Sequence, residues 1–117
     1  MKTVQVAIQD SGYADSIRNL LSRDGSHLVH LVREPDPTVA GVILVDSARL
    51  DCTPLLLQEH RRLIVMARKD CRDLAKIWDA GVRHVVFEGD SPDMTRVVVL
   101  GVELGLSWAL SAQALPQ

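Results

Sequence analysis

The sequence predicts an α/β domain built on a five-stranded parallel sheet, and three observations carry that expectation. Five short runs rich in Val, Ile and Leu punctuate the chain: Val4–Ile8, Leu28–Val32, Val42–Val45, Leu63–Ala67 and His84–Phe87. Amphipathic helical patterns fall between most of them, and strands alternating with helices imply βαβ units. Three of the runs are almost continuously apolar, as strands are when both faces of a parallel sheet are covered.

Each element has its own local signals. The first strand stops at Gln9-Asp10. From Tyr13 to Asp24, Ile17, Leu20 and Leu21 share one helical face, and Gly25 is the stop signal. Only the nine residues Arg33–Gly41, with Pro35 and Pro37 among them, join the second strand to the third. A parallel crossover normally takes a dozen or more. Nine extended residues span roughly 30 Å, enough for a bare crossover, so the helix there must shrink to a turn or vanish. Thr53-Pro54 opens a short segment through His60. Asp70 is the candidate N-cap of a helix carrying Leu74, Ile77 and Trp78, which Gly81 ends. Ser91 followed by Pro92 opens a last helix running to about Gln113.

Composition narrows the function. The 117 residues suit a single domain, read here as 1–117. With 47% hydrophobic residues the chain buries a core without a disulfide or metal staple. With one Phe, one Tyr and two Trp, that core must be aliphatic. A net charge of −2 argues against nucleic acid as a partner, since phosphate neutralisation needs clustered Lys and Arg. The one basic cluster, Arg61-Arg62 with Arg68-Lys69-Arg72, reads as a solvated edge or a contact patch. Cys52 and Cys71 have no metal-ligand spacing and read as free thiols of a reducing compartment. Gln5, Gln9 and Asp10 break any apolar leader, so a cytoplasmic domain without a membrane segment is expected.

Catalytic signals are weak. His27, His30, His60 and His84 sit on different elements and read as surface or strand-edge residues. Asp10-Ser11-Gly12 has a single Gly, enough for a tight turn and too little for a phosphate cradle. No Ser-His-Asp or Cys-His set has a supporting context. The chain is not expected to be an enzyme.

The order of elements resembles a known family. Asp46 ends the third strand in Gly41-Val-Ile-Leu-Val-Asp46, and Asp10 ends the first in Val-Ala-Ile-Gln9-Asp10. Leu63 to Gly81, closing on Asp79-Ala-Gly81, and Val85-Val-Phe-Glu-Gly-Asp-Ser-Pro92 resemble the fourth strand, fourth helix and fifth strand of response-regulator receivers. The resemblance runs from about Val4 to Leu104. It implies a flavodoxin-like sheet of order 2-1-3-4-5 with helices on both faces and the second helix reduced or absent. In such domains a histidine kinase supplies a phosphoryl group to one Asp beside Mg²⁺, which offsets charge on the phosphoryl oxygens.

By that resemblance Asp46 is the candidate phosphoacceptor, and Asp10 with Asp46 is a candidate Mg²⁺ pair, the only cofactor implied. Three positions depart from the pattern: Gln9 for an acid, Ala67 for Ser or Thr, and Glu88 for Lys. The last matters most. A unit-charge pair at 4 Å is worth roughly 4 kcal/mol at an effective dielectric of about 20, and reversing its sign roughly doubles the swing. Read without the family, Asp10 and Asp46 are strand-end acids beside helix N-termini, and Glu88 is a third oxygen that could turn in.

The last helix is apolar over most of its circumference. Arg96, Glu103, Ser107 and Ser111 form a narrow polar stripe. Gly101, Gly105 and Ala109, four apart, make a smooth groove beside Trp108. The groove either packs on the domain's own sheet or meets a homodimer partner or an attached output domain. Leu115-Pro-Gln following a long helix fits a domain cut from a longer regulator. The expected function is a receiver-like regulatory domain that works without phosphorylation, through protein contacts or dimerisation. A working acceptor at Asp46 and a small-ligand or nucleotide domain are the alternatives.

Overall fold

The structure is a computed structural model that describes residues 2–23, 25–49, 58–59 and 61–114, with side chains described through Leu104. Of the expected Thr53–His60 segment only Gln58 and Glu59 are described; its other residues and Cys52 lie outside the described residues, as do the side chains of Gly105, Trp108 and Ala109.

Five strands form one parallel sheet: β1 (Lys2–Ala7), β2 (His27–Leu31), β3 (Val42–Asp46), β4 (Leu63–Ala67) and β5 (His84–Phe87). Their order, β2-β1-β3-β4-β5, is the flavodoxin-like arrangement the sequence predicts. Three helices accompany it: α1 (Ser11–Ser22), α2 (Cys71–Asp79) and α3 (Pro92–Ala114). No helix among the described residues is long and apolar enough to cross a membrane.

Alternation along the strands divides the core in two. Val4, Val6, Val42, Leu44, Ile64, Met66 and Val86 face one side, where Ala14, Ile17 and Leu21 of α1 and Val99 and Val102 of α3 cover them. Ala7, Ile43, Val45, Leu63, Val65 and Ala67 face the other, under Ile77 of α2 and Val82. β3 and β4 are buried along almost their whole length, which explains their unbroken apolar sequences. Asp70 caps α2 as the sequence predicts, its side chain accepting from the Arg72 amide, and Asp10, read from the sequence as a strand-end acid, caps α1 by accepting from the Tyr13 amide.

The short β2–β3 link carries no helix between Val32 and Gly41. Two side chains take over its work. Gln5, buried in the middle of β1, pairs with the Asp36 backbone in both directions, donating from Nε2 at 2.9 Å and accepting at Oε1 at 2.7 Å. The Arg62 guanidinium donates to the carbonyls of Pro37, Val39 and Gly41. These bonds satisfy loop carbonyls and an amide that a helix would have paired internally. The Asp36 carboxylate turns back onto the Thr38 hydroxyl and amide, which hold it below the usual carboxylate range. Gly41 completes the link: its φ is +114°, and a Cβ there would stand 2.1 Å from the Thr3 carbonyl oxygen. Arg62, which the sequence places in a basic edge or patch, is therefore a structural clasp, and Gln5 is a paired core residue.

Replacing Arg62 with Met keeps the stem and removes the donors. It is expected to cost about 2 kcal/mol, measured by urea unfolding, because charge-assisted bonds to carbonyls are lost. Unchanged stability would mean the loop holds itself. A second expectation concerns His84. Burial pushes its imidazole below the usual 6.5, with the Arg83 charge adding to the shift and the Arg61 backbone opposing it. The unfolded chain then binds this proton first, so His84's contribution is whole above about pH 6.5 and is lost as pH falls below that value. His84→Gln is expected to flatten the fall in urea midpoint between about pH 6.5 and about pH 5. An identical slope in the variant would show that His84 is not its source.

Candidate functional site

Parallel strands ending together leave a cleft at their carboxyl edge, where open α/β sheets place ligands. Here the cleft encloses about 670 Å³ and is lined by Ile8, Gln9, Asp10, Tyr13, Asp46, Ser47, Ala48, Met66, Arg68, Lys69, Glu88 and Gly89. Its volume lies in the range of small-molecule pockets.

Four of the residues singled out from sequence meet there: Gln9, Asp10, Asp46 and Glu88. Asp46 ends β3 with one carboxylate oxygen, Oδ2, on the Gln9 amide at 2.9 Å. Its Oδ1 is buried and has no hydrogen-bond partner among the described residues. One Asp10 oxygen is engaged in capping α1. Glu88 is exposed on the turn after β5, its amide held by the Ala67 carbonyl at 2.8 Å. Ala67 itself does not line the cleft. It is fully buried under α2, and the β4 side chain that reaches the cleft is Met66. The alternation of β4 places these neighbours on opposite faces, so the cleft-facing position of the strand is one residue earlier than the resemblance suggests. Neither side chain carries a hydroxyl.

The cleft is mixed in charge, with Asp10, Asp46 and Glu88 opposed by Arg68 and Lys69. The basic run of the sequence is thus divided, Arg62 clasping the β2–β3 loop while Arg68 and Lys69 line the cleft. Among the described residues no three His, Cys, Asp or Glu side chains group to hold a metal. Asp10 and Asp46 are the carboxylates that would hold Mg²⁺, with most of its oxygen ligands coming from water. That is a sparse fit, two carboxylates each with one oxygen already accepting a backbone amide.

Sequence reasoning did not single out Tyr13, the one tyrosine of the chain. Its ring lines the cleft, and its hydroxyl lies 2.6 Å from the Thr95 hydroxyl and donates to the Ser91 carbonyl at 3.4 Å. Burial pushes the phenol's pKa up and the Asp90 charge adds to this, while the bond to Thr95 opposes. Thr95 is fully buried.

The second unforeseen feature ties α3 to the sheet edge. His27 opens β2, and its Nε2 meets both oxygens of Glu103, at 2.8 and 3.1 Å. Its Nδ1 meets the Ser26 hydroxyl at 2.9 Å. The two side chains are only 5% and 7% exposed. The sequence reads Glu103 as part of a polar stripe and His27 as a surface or edge residue. The structure turns both inward, and apolar residues take the solvent side of the helix: Met94 is 53% exposed, Val97 59% and Leu104 64%.

Set beside protein-family models, curated proteins and solved structures, the chain matches none of them.

The buried tether supplies a test. Removing either partner strands a buried polar group, so His27→Leu and Glu103→Leu are each expected to cost about 3 kcal/mol in urea unfolding. The double replacement restores apolar packing and is expected to cost clearly less than the sum. Simple additivity would mean that the two side chains do not depend on each other.

Proposed function

We propose that this chain is a receiver-like regulatory domain of two-component signal transduction, working in the cytoplasm without phosphoryl transfer and acting through protein contacts on α3. The observation that carries this reading is the outward face of that helix. Met94, Val97, Gly101 and Leu104 are exposed at spacings of three, four and three residues, while Thr95, Val99 and Val102 are buried on the opposite side. Alternating steps of three and four are the seam spacing by which one helix meets another. Among the described residues nothing lies within 4 Å of where a Gly101 Cβ would stand, which supports leaving that part of the groove to a partner. The occupant is a second copy of the chain or an attached output domain.

The cleft supports the negative half of the reading. Asp46 faces it as a phosphoacceptor would, but Glu88 brings a carboxylate where a phosphoryl dianion would need a cation. The β4 side chain there is a thioether, which cannot hydrogen-bond a phosphoryl oxygen as a donor. On this reading the strand ends keep the outline of the phosphorylation site, and the domain is a contact module, not an enzyme.

Intact mass and sedimentation, with and without Mg²⁺ and acetyl phosphate, test the reading. The expected result is no covalent adduct and concentration-dependent self-association that Val97→Glu weakens about tenfold or more. A labile phosphoryl adduct that disappears in Asp46→Asn would make the domain a working acceptor. A tightly held copurified small molecule would point to a ligand-binding domain. A strict monomer would leave the output domain as the partner of α3.

A further inference from the structure

We propose that Tyr13 is a positioning residue that couples the strand-end cleft to the exposed face of α3. The inference rests on the reading of that face as a contact surface and adds a route by which the cleft would govern it.

Both ends of the route are held by hydrogen bonds. At the cleft end, the Asp10 carboxylate accepts from the Tyr13 amide at 3.0 Å, so a carboxylate that lines the cleft also starts α1. The Tyr13 ring is part of the cleft wall. At the helix end, its hydroxyl meets Thr95 Oγ1 at 2.6 Å and the Ser91 carbonyl at 3.4 Å. Ser91 is the residue that closes the first turn of α3. Its carbonyl accepts from the Met94 and Thr95 amides, and its hydroxyl accepts from Met94 as well. Met94 is the first residue of the exposed seam. One phenol therefore touches the cleft, a fully buried hydroxyl and the cap of the contact helix.

Consider a polar ligand that draws Asp10 away from the Tyr13 amide, or a bulk that displaces the ring. Either moves the phenol, and the phenol cannot move without releasing Thr95. Once released, Thr95 would turn back onto the Ser91 carbonyl four residues earlier, the usual refuge of a helical threonine, and the first turn would repack. The seam residues next to that turn would then change their presentation. The Asp10-to-Ser91 connection is continuous through named bonds and the Tyr13 side chain, and the two-state element it would bias is the Thr95 hydroxyl, held either by the phenol or by the Ser91 carbonyl.

Amide hydrogen exchange on the full chain tests the coupling without needing the natural ligand. Asp10→Ala breaks the cleft end, and Tyr13→Phe removes only the hydroxyl. Each is expected to speed exchange at Met94 and Thr95 about fivefold, the worth of one neutral hydrogen bond. The double variant should be no faster than Tyr13→Phe alone, because both changes act on one link. Exchange at Val65, in the core of β4, should not change. Three outcomes would overturn the proposal: no change at Met94 and Thr95 in Asp10→Ala, full additivity in the double variant, or equal acceleration at Val65. A spectroscopic reading separates coupling from simple packing. As the chain has one tyrosine, its ultraviolet titration reports Tyr13 alone, and Thr95→Val should move it upward by removing the bond that favours phenolate. A titration unmoved by Thr95→Val would also sink the idea. Sedimentation of the same samples keeps the two readings distinct. A chain that never associates would count against the contact function and not against the coupling. Association with unlinked exchange would do the reverse.

Discussion

Burial of the central strands on both faces is the constraint from which the rest follows. Every side chain of β3 before Asp46, and every one of β4, is taken by one of two cores, so polar chemistry has no place along the middle of the sheet. It is forced to the ends. At the carboxyl end this concentrates Asp10, Asp46, Glu88, Arg68 and Lys69 around one cleft. At the amino end of β2 it leaves a polar tether from His27 to Glu103 of the last helix. The exception inside the sheet is Gln5, and it is tolerated because the missing crossover helix leaves backbone groups for its amide to pair with.

The elements of the fold were legible because their signals are local. β4 and β5 occupy the same residues that the apolar runs mark, and Asp70 caps α2 as its position before an amphipathic run suggests. The nine-residue link was legible as an arithmetic limit on a helix, and the structure has none there. What held the link was not legible. Arg62 looks like any surface arginine, and only the sheet register brings it beneath the carbonyls of residues 37, 39 and 41. The same is true of the site. Asp10 and Asp46 were visible because they end strands of a parallel sheet, and Glu88 was singled out through the resemblance. Met66 was missed because a one-residue offset along a strand exchanges its faces. Tyr13 was missed because its partners lie about eighty positions away, beyond any sequence window.

α3 shows why composition alone cannot orient a helix. Its polar residues form a stripe, and the ordinary rule turns such a stripe toward water. Here Glu103 goes inward because a buried histidine is waiting for it, and that bond fixes the rotation of the helix about its own axis. Once the rotation is set, Val97, Gly101 and Leu104 have nowhere to go but out. The apolar seam is therefore not left over from imperfect packing. It is imposed by a polar pair on the other side, which offsets the cost of burying a carboxylate by accepting two close contacts from one imidazole.

Two polar links thus determine what α3 presents, one at its first turn and one in its middle. They differ in kind. The His27–Glu103 pair is sealed from solvent and far from the cleft end of the strands, so it acts as a fixed pivot. The Tyr13 link is half-buried and shares a wall with the cleft, so it is the one a ligand can reach. A helix held by one fixed and one reachable bond responds at one end only, and that end is where Met94 begins the exposed seam. Small displacements of a phenol in the cleft wall would then be read out on the exposed face of α3 while the sheet beneath, buried on both sides, stays as it is.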